Sequence, residues 1–105
     1  MAKILKSLLE PIADLDGIPF PRPGGTAPCT IGWYIGDILS KSSLSDPVRA
    51  IEVALKLRST DKAMIDDSDM ALINQAIDQV RPLNVIVKTL RDVLNAAEDG
   101  EFSTQ

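Results

Sequence analysis

The chain has no His and a single Cys, Cys29, so the side chains that most often relay protons near neutral pH or ligate metals are nearly absent. A thiol becomes a nucleophile when a base or a positive neighbour lowers its pKa. Cys29 follows Pro28, and no imidazole exists to activate it. It reads as a buried or inert thiol. A lone Cys also forms no intrachain disulfide, which points to a reducing compartment.

Three carboxylates lie close together at Asp66, Asp67 and Asp69. A calcium loop needs ligands at alternating positions, a mid-loop Gly and a distal bidentate Glu, and none of these is present. Carboxylates in the first turn of a helix instead meet its unpaired N–H groups and the positive end of its dipole. Asp14 and Asp16 flank a Gly-containing turn, with no second catalytic element beside them. Gly24-Gly25-Thr26 and Thr30-Ile31-Gly32 lack the spacing and the Lys of a phosphate loop. No catalytic residue, cofactor or metal ligand is expected, and the chain reads as a non-enzyme.

What remains is contact chemistry. Between Leu15 and Ile38 lie four of the seven Pro, five of the six Gly, the only Cys, Trp and Tyr, and one of the two Phe. Pro-stiffened chain loses less entropy when it docks, and Phe, Arg, Trp and Tyr are types that fill interface centres. Phe20, Arg22, Trp33 and Tyr34 are therefore the expected partner-binding residues, with the other reading that Trp33 and Tyr34 only complete a core short of aromatics. The run Pro19-Phe20-Pro21-Arg22-Pro23 lacks the P-x-x-P spacing of polyproline ligands.

The elements that must carry these residues are set by punctuation and period. Residues 2–13 suit a short helix or an extended arm that pairs with the adjoining segment. Asp16-Gly17 signals a tight turn, and Pro19, Pro21 and Pro23 rule out a central strand from Ile18 to Pro23. Gly24-Gly25 gives a second reversal. Thr30 caps a helix over residues 31–41, with Ile31, Tyr34, Ile35, Ile38 and Leu39 on one stripe; Gly32 and Gly36 mark it as marginal and held by packing, the other reading being that glycines four apart permit close approach by a neighbouring segment. Ser45 or Asp46 with Pro47 opens a helix to about Arg58, expected to bury Val48, Ile51, Ala54 and Leu55, with Leu57 at an edge. A loop comes next.

Asp66 or Asp67 caps a third helix over about residues 68–80, where Met70, Ile73, Ile77 and Val80 recur at helical steps. A last helix over about 84–98 buries Val87, Leu90, Val93, Leu94 and Ala97 with Ile86 beside them, and Gly100 stops it. The tail holds Phe102, docked or offered to a partner. The expected fold is mainly α: a small bundle of about four helices with an N-terminal extended or hairpin-like Pro/Gly-rich segment. At 105 residues it is one domain, divided into arm 1–29, bundle 30–98 and tail 99–105.

In this order the signals resemble a group of small proteins encoded by tailed phages and prophages. The resemblance rests on Asp16-Gly17-Ile18-Pro19, Thr30-Ile31-Gly32, Ala54-Leu55-Lys56, the run Asp66 to Ile73 and the run Val85 to Leu94, and it spans most of the chain. The Pro-rich linker and the pair Trp33-Tyr34 depart from the group's pattern. The resemblance implies a phage origin, with the bacterial host cytoplasm or the virion as the setting; it brings no catalytic signature.

Charge narrows the partners. Residues 1–60 carry a net +1 and residues 61–105 a net −5, for −4 in all, and no concentrated basic face suits nucleic acid. The helices over 46–58 and 68–80 are separated by too long a loop for a helix-turn-helix. No membrane span is expected: Glu10 and Pro11 cut off the opening MAKILKSLLEP before signal-peptide length. The longest uncharged run, Pro23 to Gly36, falls short of the ~20 apolar residues a bilayer needs. The expected function is binding to a protein partner, phage structural protein or host protein, in virion assembly, with self-association into a homo-oligomer as a further mode. The competing expectation is an inhibitor of a host defence nuclease, whose basic groove the acidic C-terminal half would fill.

Overall fold

Helices begin where the capping chemistry is strongest. In a computed structural model that describes residues 3–22, 25 and 27–99, helix α1 (Ile31–Lys41) starts at Thr30, whose hydroxyl accepts the Trp33 N–H at 3.3 Å. Helix α2 (Pro47–Arg58) starts at Asp46, whose carboxylate accepts the Arg49 N–H at 3.1 Å, with Pro47 at the first position, where its missing N–H costs nothing. Helix α3 (Asp67–Val80) is held by a capping box: Asp66 accepts the Asp69 N–H at 2.8 Å and Asp69 accepts the Asp66 N–H at 3.3 Å. Helix α4 (Asn84–Asn95) comes after Pro82 and buries Ile86, Leu90 and Leu94, with Val87, Val93 and Ala97 half-buried. It stops short of the expected residue 98 because the chain turns extended there; the expected Gly100 stop and Phe102 lie outside the described residues.

A three-stranded antiparallel sheet joins distant parts of the chain. Strand β1 (Lys3–Leu5) is central, between β2 (Ala63–Ile65) and β3 (Glu98–Asp99), with Ile4 paired to Met64 on one side and Glu98 on the other. Of the two readings of residues 2–13, the extended one holds, though its strand partners come from far along the chain. The segment read as a plain loop between α2 and α3 supplies β2. Its Asp61 closes the turn after β1, where Ser7 takes a φ of 62°: the Asp61 carbonyl accepts the Leu8 N–H at 3.0 Å and its carboxylate the Leu9 N–H at 3.1 Å. That reversal places Leu8 fully inside.

The Pro/Gly-rich segment folds back twice on itself, as a hairpin-like element. The Phe20 N–H donates to the Ile12 carbonyl at 2.9 Å, and the Cys29 N–H donates to the Phe20 carbonyl at 2.8 Å. The Ile12 N–H donates to the Cys29 carbonyl at 2.9 Å and closes the set. The first reversal is an Asp-led turn: Asp14 Oδ1 accepts the N–H groups of Asp16 and Ile18 at 2.9 and 3.0 Å, and Gly17 supplies the φ of +81° that such a turn requires. Asp14 and Asp16 are thus occupied as turn residues. In the second, the Gly25 N–H donates to the Arg22 carbonyl at 3.0 Å, while Gly24 of the expected Gly24-Gly25 pair lies outside the described residues. Ile12 and Cys29 are buried in the same core as Ile35, Ile73 and Leu90, so the segment is built into the bundle instead of hanging from it.

Gly32 and Gly36 are not signs of a marginal helix. A Cβ on Gly32 would overlap the Leu57 carbonyl oxygen and press on Leu8 at 3.1 Å. One on Gly36 would meet the Arg58 Cγ at 2.8 Å and the Ala54 carbonyl at 3.0 Å. The two glycines let α1 lie directly against the α2 backbone, and Ala50, Val53, Ala54 and Leu57 form the α2 face that receives it. The expectation that α2 buries Val48, Ile51 and Leu55 is corrected: these are 70%, 43% and 62% exposed, on the far side of the helix. The inner face is the one that carries Ala50 and Ala54, and the missing side chains of Gly32 and Gly36 make room for the α2 backbone at Leu57 and Ala54. Leu55→Lys is accordingly expected to change the unfolding free energy by less than about 0.5 kcal/mol in a urea titration, where a core position would cost several times more.

Candidate interaction surface

Two elements bring the four expected contact residues to one region, in two pairs. Trp33 and Tyr34 are neighbours on α1; Phe20 and Arg22 lie on the folded-back segment that packs beside it. All four are half-buried. Phe20 and Tyr34 line a cavity of about 130 Å³ together with Ile12, Pro21, Cys29 and Ile86. They are therefore partly core residues, and partly walls of an apolar recess.

Arg22 and Trp33 form the second pair. The Arg22 guanidinium lies 5.3 Å from the centre of the indole, and its Nε donates to the Pro28 carbonyl at 3.2 Å. A residue missed in the sequence joins them: the Arg58 guanidinium, from the last turn of α2, lies 5.5 Å from the same ring. The route is set by Gly36, whose missing Cβ leaves room for the aliphatic stem of Arg58 to cross α1. Periodicity gives no sign of this, because the pairing depends on how closely the two helices pack.

The electrostatics at this surface are unusual for an acidic protein. Arg49 and Arg91 are paired, with Asp69 at 2.7 Å and Asp78 at 3.0 Å. Among the described residues, Arg22 and Arg58 have no carboxylate partner and both lie against the Trp33 indole instead. Each cation–π contact contributes about 0.5–1 kcal/mol at an exposed site, so the stack is held, though not strongly. Burial pushes the Cys29 thiol up; the nearby Arg22 charge pulls it down less, and Asp37 adds to the rise. The thiol is 3% exposed and is expected to react with a disulfide reagent only at the rate at which the protein opens, a rate that denaturant should raise sharply.

The acidic cluster at α3 has a structural occupation. Asp69 is fully buried, and both its oxygens accept from Arg49, Nε at 2.7 Å and Nη2 at 2.8 Å. The Arg49 bond holds the Asp69 carboxyl below the usual range despite its burial, with the Asp66 N–H assisting. Among the described residues no three His, Cys, Asp or Glu side chains come together as a metal site would require. No helix there is long and apolar enough to cross a membrane.

The fold is thus a small, mainly α domain with a built-in hairpin-like segment. Comparison of the chain with protein-family models, curated proteins and solved structures finds no match.

Proposed function

We propose that this is a phage-encoded protein that acts without catalysis, by binding protein partners during virion assembly. The observation that carries this reading is the surface around Trp33. A stiff, hydrogen-bonded segment presents Phe20 and Arg22 beside Trp33 and Tyr34, and its turn displays Leu15, 95% exposed, and Ile18. Ordering such a segment in advance lowers the entropy cost of docking, and aromatic and Arg side chains are the usual anchors of an interface. The exposed stripe Val48, Ile51 and Leu55 on α2 offers a second apolar contact on the outer side of the same helix that carries Arg58.

The test is the copy number of the protein in purified particles of a phage that carries its coding sequence. Quantitative mass spectrometry is expected to find it in a fixed ratio to the major structural protein, or, for an assembly accessory, in precursor particles alone. Absence from both, with salt-sensitive capture of a host nuclease, would overturn the reading in favour of an inhibitor. The inhibitor reading draws on the acidic excess of residues 61–105, a net −5.

A further inference from the structure

Two guanidiniums, those of Arg22 and Arg58, lie against one indole at 5.3 and 5.5 Å from its centre. Arg49 and Arg91 have carboxylate partners, Asp69 and Asp78, whereas Arg81 on the surface has none among the described residues. Arg22 and Arg58 are denied one among the described residues, and both are held in place by other means. Arg22 is fixed by its bond to Pro28 at 3.2 Å, and Arg58 by the channel over Gly36, where an added Cβ would come within 2.8 Å of its stem. Both keep N–H donors unused. A planar guanidinium stacked on an aromatic ring retains its edge for a carboxylate, in the fork geometry that favours Arg over Lys.

The apolar recess adjoins this pair. Pro21 and Cys29 form part of its wall, Arg22 comes directly after Pro21 in the chain, and the Arg22 charge is close enough to act on the Cys29 thiol. At about 130 Å³ it suits one aliphatic side chain. An anionic group beside an aliphatic one describes an acidic protein segment better than a nucleic acid, whose phosphates carry no aliphatic side chain to fill the recess.

We infer that the Arg22–Trp33–Arg58 stack receives a carboxylate from an acidic segment of a protein partner, with a neighbouring aliphatic side chain of that segment seated in the recess walled by Phe20, Pro21 and Tyr34. This rests on the reading of the protein as a partner-binding one and names the chemistry of the partner. Arg22 and Arg58 form the anion contact, Trp33 holds their guanidiniums, and Gly36 is a positioning residue that acts through Arg58.

Trp33 is the only Trp, so its fluorescence reports on the stack directly. The probe is a short blocked peptide alternating Leu with Asp and Glu, compared with its Asn and Gln counterpart, with inorganic phosphate and with a single-stranded oligonucleotide. The acidic peptide is expected to shift Trp33 emission saturably at low salt, and Arg22→Gln or Arg58→Gln to weaken it about tenfold each. Arg58→Lys keeps the charge and loses the fork, so it should fall in between; unchanged far-UV circular dichroism confirms that the variants fold. No saturable shift up to millimolar peptide overturns the inference, as does an equal response to the neutral peptide. Tighter binding of phosphate or the oligonucleotide also overturns it and hands the site to another ligand class. A protein that ignores the peptide and still sits in particles loses this inference alone, whereas one that binds it and is missing from particles loses only the assembly role.

Discussion

Gly32→Ala lowers the unfolding free energy by about 3 kcal/mol, read from a fall in the urea midpoint at unchanged slope. Helix propensity argues for the opposite, since Ala in place of Gly inside a helix gains about 1 kcal/mol. Space decides the sign. The new Cβ would overlap the Leu57 carbonyl oxygen and meet the Leu8 Cβ and carbonyl, each at 3.1 Å. Two of these three atoms are backbone, so relief requires α1 to move off both α2 and the turn after β1. That opens the core at Ile35, Leu57 and Leu8, all fully buried. Gly36→Ala should cost less, because the Arg58 stem can swing aside, though Trp33 emission would then change as its cation leaves. Gly25→Ala meets nothing within 4 Å and serves as the silent control. A Gly32→Ala variant as stable as the parent would mean that the two helices lie farther apart than described.

Removing the partner of Asp69 is the second large effect. Arg49→Met leaves a carboxylate that is 0% exposed without its bidentate donor, and the melting temperature is expected to fall by on the order of 10 °C at neutral pH. The pH dependence separates lost charge pairing from lost packing. In the parent, the Asp69 pKa is depressed, so its contribution is complete above about pH 4 and is lost as pH falls through the lower folded value. In the variant, burial without Arg49 favours the protonated acid. Its deficit relative to the parent should therefore begin to shrink above about pH 4, as the buried acid takes up its proton, and go on shrinking as the parent's own ion pair is titrated below that pH. Thermal melts of both proteins across that range measure it; a deficit that stays constant with pH would assign the effect to packing by the Arg49 stem.

Legibility in the sequence tracked the range of the interaction. Thr30, Asp46 with Pro47, and Asp66 act on N–H groups within three residues, and each helix start was readable to within a position or two. The Asp16-Gly17 turn is equally local. Helix α2 shows where local reading fails: it carries two apolar stripes, one of large residues at Val48, Ile51 and Leu55 and one mixing small and large at Ala50, Val53, Ala54 and Leu57. Counting bulk favours the first, while the approach allowed by Gly32 and Gly36 selects the second. Strands β2 and β3, of three and two residues, are too short for any alternation to show. Phe20, Arg22, Trp33 and Tyr34 could be chosen by residue type, but Arg58 joins them only through helix packing, and the Arg49–Asp69 bond through the meeting of α2 and α3.

The order of the sheet bears on synthesis at the ribosome. Its middle strand is made first of the three, and its two neighbours emerge much later, β3 only with Glu98 and Asp99. Until then the nascent chain holds Lys3–Leu5 with at least one open hydrogen-bonding edge, a surface that invites pairing with other extended chains. Helices α1 and α2 can dock as soon as they clear the exit tunnel, so the bundle supplies a platform that waits for its last strand. Closure of the sheet is thereby tied to translation past Asp99.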